Sequence, residues 1–285
     1  DLVLVLEIWL EYRAEIVRTA QESAGLKRQL YRAMALWSDD VSEEARRLDD
    51  RTGYVLTIVG IPSAFLLHGY VGFIFGSIKA NPWWSTPLMP IVFLFSAIVS
   101  GIALVLLMYM ATCAAKRIPI DMRCVDTIAK YLFYAFLIDF ALEGIDLLHR
   151  MYEADESFKS LDFMVKTKLF VSQILIQVVF GGLLPITLLA LTQVAKLTDG
   201  ARKAIYALAG VLTLVGIFAM RWNVVIGGQL FSKSFLGYTT YKMTFAHREG
   251  LLPAILLMLL PFAILAVLVK LLPPWHEPEA DPRRA

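Results

Sequence analysis

The fold is decided by a stretch that contains no Asp, Glu, Lys or Arg, residues 87–115: PLMPIVFLFSAIVSGIALVLLMYMATCAA. About twenty such residues in a helix cross the roughly 30 Å hydrocarbon core of a bilayer, because the helix rises about 1.5 Å per residue. Similar stretches recur along the chain, and none shows the alternation of a membrane β-barrel. The sequence therefore predicts an all-α, polytopic transmembrane helical bundle.

Six full spans are predicted, together with one that is truncated at its start. Five of them lack Asp, Glu, Lys and Arg: 54–78, 87–115, 169–195, 204–220 and 251–269. The sixth, 131–149, is apolar apart from three carboxylates. The predicted organisation is the end of a truncated span over 1–12, a cytoplasmic connection over 13–53, a six-helix region over 54–272 and a cytoplasmic tail over 273–285. Within the connection, a helix over 41–48 is predicted to follow the candidate caps Ser38, Asp39 and Asp40.

Composition and charge exclude several classes of protein. Hydrophobic residues make up 58% of the 285 and charged residues 18%, whereas a soluble domain carries about 25% charged residues. The formal net charge of +2 leaves no basic field for nucleic acid. The only cysteines, Cys113 and Cys124, form no C-x-x-C pattern. We therefore expect this chain to bind neither an Fe–S cluster nor a covalently attached haem.

The distribution of Lys and Arg predicts the orientation of the chain. Of the 27 basic residues, 18 fall on one side of the predicted bundle, in the 13–53 connection, in two short loops and near the C-terminus. The positive-inside rule places that side in the cytoplasm. The connections 79–86, 150–168 and 221–250 are then predicted to lie outside.

Three carboxylates form a stripe on the sixth predicted span. Asp139, Glu143 and Asp146 recur at +4 and +3, which places them on one helix face. A charge at mid-bilayer costs roughly 2.5–3.5 kcal/mol even on lenient scales, so each one needs a reason. The stripe is interpreted as a proton path or part of a quinone site. The alternative is that these acids pair with Arg or Lys of neighbouring helices and hold the bundle together.

His68 is predicted to lie at a depth between those of Asp139 and Asp146. A neutral imidazole there can donate a hydrogen bond to a quinone carbonyl or accept a proton from a quinol. Haem ligation would need a second buried histidine, and His149 sits at the membrane edge. A histidine simply hydrogen-bonded to a neighbouring helix is the remaining alternative.

Other polar residues near the predicted outer face are weaker candidates. Arg221 and Asn223 are candidates to contact a headgroup or a partner, although an interfacial arginine is more often a membrane anchor. Gln173 and Gln177, at i and i+4, are predicted to hydrogen-bond between helices. Trp83 and Trp84 are predicted to belong to an interfacial aromatic belt.

Three segments resemble the membrane-subunit family of NrfD and polysulfide reductase. They are HGYVGFIFGSIKANPWWSTPLMP over 68–90, FSAIVSG over 95–101 and RWNVVIGGQ over 221–229. The resemblance covers residues 54 to about 272. It is closest to the branch that holds the DsrP subunit of sulfur metabolism and the membrane subunit of a periplasmic [NiFe] hydrogenase. That branch usually has ten helices, so the seven predicted here would be the fourth to the tenth.

The resemblance implies a haem-free subunit in a prokaryotic inner membrane that exchanges electrons between menaquinone or ubiquinone and a periplasmic ferredoxin-like Fe–S subunit. A multihaem cytochrome or other complex subunits are further implied partners. The resemblance supports His68 and either Glu143 or Asp146 as quinone ligands, and Lys79 as a residue that steers the partner. The competing hypothesis is a secondary transporter or ion channel whose intramembrane carboxylates bind the coupling ion. A purely structural anchor would leave the acidic stripe unexplained.

Overall fold

The computed structural model describes residues 2–153, 158–231, 237–240, 244–247 and 250–272. Within these ranges the secondary structure is helical, with one isolated antiparallel bridge between Phe231 and Tyr238. The prediction of an all-α bundle is confirmed. The helices are α1 (Leu2–Glu22), α2 (Gly25–Met34), α3 (Glu43–Gly76), α4 (Met89–Lys116), α5 (Met122–Glu153), α6 (Phe158–Thr167), α7 (Phe170–Val194), α8 (Asp199–Gln229) and α9 (Leu251–Leu271).

Five of the described helices are long and apolar enough to cross a membrane: α3, α4, α7, α8 and α9. They correspond to the five predicted spans without Asp, Glu, Lys or Arg. The sixth predicted span lies in α5, which has 32 residues and packs along α4 and α7. Its carboxylates make it more polar than its neighbours. Because α5 matches those helices in length and lies against them, it remains a predicted span.

The chain divides into two compact units, Asp1–Ala64 with Lys242–Ala285, and Phe65–Tyr241, and α3 runs through the boundary. In the first unit the Trp9 indole N–H donates to the Met34 carbonyl at 2.7 Å, and the Tyr31 hydroxyl donates to the Leu271 carbonyl at 2.9 Å. The predicted 13–53 connection is largely helical, because α1 continues to Glu22 and α3 already begins at Glu43. The predicted 273–285 tail lies outside the described residues.

The start of α3 differs from the predicted helix over 41–48. The Ser42 hydroxyl accepts the Ala45 N–H at 3.3 Å and so occupies the capping position. The Asp40 carboxylate accepts the Ser42 N–H at 2.9 Å. This bond to the Ser42 backbone, with help from the Ser42 side chain and from Arg13, lowers the pKa of Asp40. The predicted caps were thus two to four residues too early, and Asp40 acts on the turn before the cap.

The second unit is a bundle in which α4, α5, α7 and α8 pack around an apolar core. Gly181 of α7 meets Gly216 of α8 backbone to backbone, and a Cβ on Gly216 would lie 2.6 Å from the Gly181 Cα. The first part of α7, Phe170–Leu183, is π-helical, and the α-helical part starts with Pro185 in its first turn. Because Pro185 has no N–H, it fits that first turn.

Helix α8 is longer than the predicted span over 204–220. It continues through residues 221–229, which were predicted to belong to an outer connection. The predicted span ended at residue 220 because the uncharged stretch stops before Arg221, and the Gly227–Gly228 pair was not assigned a role. The pair allows close packing, because the rings of Trp83 and Trp84 occupy the space where Cβ atoms of Gly227 and Gly228 would lie.

Candidate functional site

The connection between α3 and α4, residues 77–88, lies against the last turns of α8 and defines the tryptophan end of the second unit. The Trp83 indole N–H donates to the Asn223 carbonyl at 2.9 Å, and the Trp84 indole N–H donates to the Val224 carbonyl at 2.6 Å. Trp83 is buried rather than part of an exposed interfacial belt. A carbonyl oxygen has two lone pairs, so α8 can accept these bonds without losing its own.

Asn81 fixes the same connection from its other side. Its amide N–H donates to the Gly228 carbonyl at 2.9 Å, and its amide oxygen accepts the Trp83 backbone N–H at 3.0 Å. Asn81 is itself buried, so both bonds form away from solvent. Residues 81–84 are thereby held over the end of α8 and close one side of a cavity.

The cavity has a volume of about 70 Å³ and lies between α4, α5, α7 and α8. Apolar side chains and the Trp83 ring form part of its wall. Two carboxylates and three amides form the rest, and no Lys, Arg or His is among the described residues that line it. The polar residues are Glu143, Asp146, Gln173, Gln177 and Asn223.

Three of these residues form a hydrogen-bonded chain across three helices, which we call the amide relay. The Asn223 amide N–H of α8 donates to the Gln177 oxygen of α7 at 2.8 Å. The Gln177 amide N–H in turn donates to the Glu143 carboxylate of α5 at 3.0 Å. Asn223 is only 2% exposed, and its own amide oxygen is buried and accepts no hydrogen bond from the described residues. The Gln173 amide oxygen is likewise buried and accepts no hydrogen bond from the described residues.

Asp146 is fixed by Thr86, a residue that the sequence indicated only through its place in the 68–90 motif. The Thr86 hydroxyl donates to the Asp146 carboxylate at 2.5 Å and accepts the Leu88 N–H at 3.2 Å. Thr86 and Asp146 are both buried. The connection at the tryptophan end therefore positions one carboxylate of the cavity as well as its wall.

Asp139 and Arg221 do not line the cavity. Asp139 is buried on α5, and neither of its oxygens accepts a hydrogen bond from the described residues. Arg221 points into the bundle, donates to the Ser96 hydroxyl at 3.1 Å and lies 5.1 Å from the Phe93 ring centroid. The predicted contact of Arg221 and Asn223 with a headgroup or partner stays a prediction, whereas their predicted place in an outer connection is wrong. Because α8 extends to Gln229, both residues lie inside the bundle.

His68 and Lys79 lie apart from the cavity-lining set. His68 is half-buried on α3, one turn before Gly72, whose close contact with the backbone of Met89 and Pro90 packs α3 onto the start of α4. Lys79 is exposed in the connection at the tryptophan end. The roles of His68 in quinone binding and of Lys79 in steering a partner stay predictions. Among the described residues, no group of three or more His, Cys, Asp and Glu is arranged to hold a metal ion.

Fold and site define a multi-pass helical membrane protein with a cavity of mixed polar and apolar lining near one end of its bundle. The chain belongs to the family described as polysulphide reductase, NrfD, which matches residues 2–233, and the family predicted from the 68–90 motif is confirmed. It is 30% identical over 233 residues to a subunit of the selenate reductase of Mesobacillus selenatarsenatis, covering 79% of this chain and 52% of that protein. The chain thus spans about half the length of this relative. No solved structure matches it.

Proposed function

We propose that this chain is the haem-free, quinone-reactive membrane subunit of a respiratory oxidoreductase complex in a prokaryotic inner membrane, with its C-terminus in the cytoplasm. A periplasmic ferredoxin-like Fe–S subunit docks at the tryptophan end, and a multihaem cytochrome or other subunits complete the complex. Membership in the NrfD family and the similarity to a selenate reductase subunit support a role within a reductase complex. Exposed Lys79 is proposed to steer the docking subunit.

The cavity carries this proposal because it combines carboxylates with neutral amides inside a membrane bundle. Its volume of about 70 Å³ is smaller than the roughly 150 Å³ of a cavity that holds benzene. We therefore assign to it the oxygen-bearing edge of menaquinone or ubiquinone, rather than the whole ring. A bound quinone supplies two-electron chemistry, and the residues of this chain orient its oxygens and handle the protons.

Glu143 and Asp146 are the proposed proton acceptors, since both line the cavity. Gln177 and Thr86 hold one oxygen of each by donating to it. Asp139 lies one helical turn further along α5 and continues the acidic stripe away from the tryptophan end. The proposed proton path therefore runs along α5 through Asp139, Glu143 and Asp146.

The test is to measure quinone-dependent turnover of the complete complex carrying Glu143→Gln or Asp146→Asn. Each amide keeps the shape of the side chain and removes its titratable proton. We expect turnover to fall about a hundredfold with normal assembly, which is the lower range for losing a general acid or base.

The matched control is Asp162→Asn. Asp162 is on α6 and pairs with Lys166 at 2.8 Å in a partly exposed i,i+4 contact. Removing it should leave turnover unchanged, because exposed pairs of this kind contribute little. Full turnover in both cavity variants at normal abundance would refute the proposal. Poor assembly in both would instead assign the stripe to holding the bundle together.

A further inference from the structure

While Glu143 is ionised, the amide relay has a fixed direction, which decides what its free end can bind. An ionised carboxylate only accepts hydrogen bonds, so Glu143 requires the amide nitrogen of Gln177 to face it. The Gln177 oxygen must then face Asn223, and it receives the Asn223 amide nitrogen. The oxygen of Asn223 is left as the free end of the relay.

That free end belongs to a residue of the cavity wall. Asn223 lines the cavity, and its amide oxygen is buried without a hydrogen bond from the described residues. A buried acceptor left unsatisfied destabilises the protein, so a ligand that donates a hydrogen bond to it removes that cost on binding. Gln173 offers a second buried oxygen of this kind, and it stands outside the relay.

Several donors near the Asn223 oxygen are engaged within the protein, whereas the amide nitrogen of Gln173 makes no hydrogen bond with the described residues. The Trp83 indole N–H donates to the Asn223 backbone carbonyl, and the Thr86 hydroxyl donates to Asp146. The amide nitrogens of Asn223 and Gln177 are engaged within the relay. The described polar lining around Asn223 thus presents acceptors to a ligand.

The geometry points to Asn223 and Gln173 as the residues that make this cavity select an aromatic hydroxyl over a carbonyl or ether oxygen, so that it holds the quinol form more tightly than the quinone. This inference rests on the proposed function and deepens it. A hydroxyl can donate its single proton to one of the two amide oxygens, whereas a quinone carbonyl brings another acceptor against the Asn223 oxygen. Asn223 and Gln173 are specificity-determining residues, and the relay is what positions Asn223.

The test uses ring compounds that differ in one oxygen group and do not undergo the quinone reaction. The purified complete complex, in nanodiscs, is titrated by calorimetry with 1-naphthol, 1-methoxynaphthalene and naphthalene, and empty nanodiscs correct for partition into lipid. We expect 1-naphthol to bind about tenfold more tightly than the two compounds that lack a donor, which corresponds to one net hydrogen bond.

Two variants distinguish the effect of the amide oxygens on binding from the effect of the size of the methoxy group. Gln173→Met removes one acceptor without touching the relay, and Asn223→Leu removes the other. Each should reduce the preference for 1-naphthol about threefold. Gln193→Met is the matched control, because Gln193 is an exposed residue of the same helix that does not line the cavity. It should leave the preference unchanged.

A second readout is the midpoint potential of the quinone bound to the complex. Holding the quinol tenfold more tightly than the quinone raises the potential of this two-electron couple by about 30 mV. Gln173→Met and Asn223→Leu should lower that potential toward the value of the free couple. A purely structural role would change abundance and leave the potential of the assembled complex unmoved.

The outcomes distinguish this inference from the proposed function. If 1-naphthol binds no more tightly than naphthalene, or if its preference persists in both variants, the selectivity is refuted. Equal binding of all three probes, together with inhibition of quinone turnover, refutes the selectivity alone and leaves the site in place. If no probe binds and Glu143→Gln keeps full turnover, both the inference and the proposed function fail.

Discussion

Two polar clusters occupy opposite ends of the second unit, and they handle charge in different ways. At the end that carries the 195–198 connection, Asp126 pairs with Arg202 at 2.5 Å and accepts the Tyr206 hydroxyl at 2.9 Å. Arg202 also pairs with Asp199 at 2.7 Å. Near the tryptophan end, Glu143 receives its hydrogen bond from the neutral Gln177.

The difference separates a partly exposed acid that pairs with a cation between helices from the acids of the cavity, which the proposed function assigns to a ligand. The Asp126 cluster joins α5 to α8 through opposite charges, so its acid is compensated within the protein. The cavity cluster joins α5, α7 and α8 through amides, and it leaves two amide oxygens to be satisfied. The contacts of the Asp126 cluster join two helices. The contacts of the cavity cluster also join helices, and they line the cavity that the proposed function assigns to a quinone.

The largest effect expected after the two cavity acids is that of His68→Ala. If His68 contributes a hydrogen bond to the quinone, turnover of the complete complex should fall by roughly one to two decades, because that bond is made in the reacting state. Steady-state quinone reduction or quinol oxidation at wild-type abundance measures it. The site would then include α3 in addition to the four helices around the cavity.

His68→Gln refines this test, because an amide can still donate and accept but does not titrate near neutral pH. Normal turnover in His68→Gln would assign a hydrogen-bonding role to His68. Turnover that depends on pH near neutrality in the wild type but not in His68→Gln would assign it a role in proton transfer. Unchanged turnover in His68→Ala would restrict the site to the cavity and remove His68 from it.

The next effect concerns the Asp126 cluster. Arg202→Met leaves Asp126 and Asp199 without their cation. Because both pairs are partly exposed, we expect the Tm of the complex in detergent to drop by a few degrees at most, with unchanged turnover per assembled complex. Asp126→Asn combined with Arg202→Met should recover part of that loss, since no uncompensated carboxylate remains beside Tyr206. Lost turnover at full assembly would show that this cluster also serves the reaction.

The sequence predicted the bundle well because long uncharged stretches leave few alternatives in lipid. It also indicated Glu143 and Asp146, because a charged side chain inside a membrane span carries a free-energy cost that calls for a reason. It did not indicate that Thr86 donates to Asp146 or that Asn223 is linked to Glu143 through Gln177, since no local spacing records a contact between distant parts of the chain. The end of α8 was predicted too early because the span was bounded at the charged Arg221, whose side chain the bundle accommodates against Ser96 and Phe93.

A smaller effect is expected for Trp83→Phe, which keeps an aromatic ring against Gly227 and removes the donor to the Asn223 carbonyl. Losing one buried hydrogen bond should destabilise the second unit by about 1 kcal/mol. Because Asn223 begins the relay, turnover should also fall about threefold. The control is Trp9→Phe, which removes an equivalent indole bond to the Met34 carbonyl in the first unit. If both variants change turnover equally, the Trp83 contact has no special relation to the cavity.

The smallest effect is expected at Asp40, outside both clusters. Its pKa is lowered chiefly by the bond from the Ser42 N–H, so the ionised form stabilises the start of α3. This contribution is present above the ordinary aspartate pKa of about 3.9 and is lost as the pH falls through the lower pKa of the folded state. The Tm values of the wild type and Asp40→Asn should therefore differ slightly at pH 7 and become equal in acid. A difference that grows as the pH falls would contradict the assigned bond, and a difference as large as that of Arg202→Met would mean that a surface turn stabilises the chain as much as an ion pair between helices.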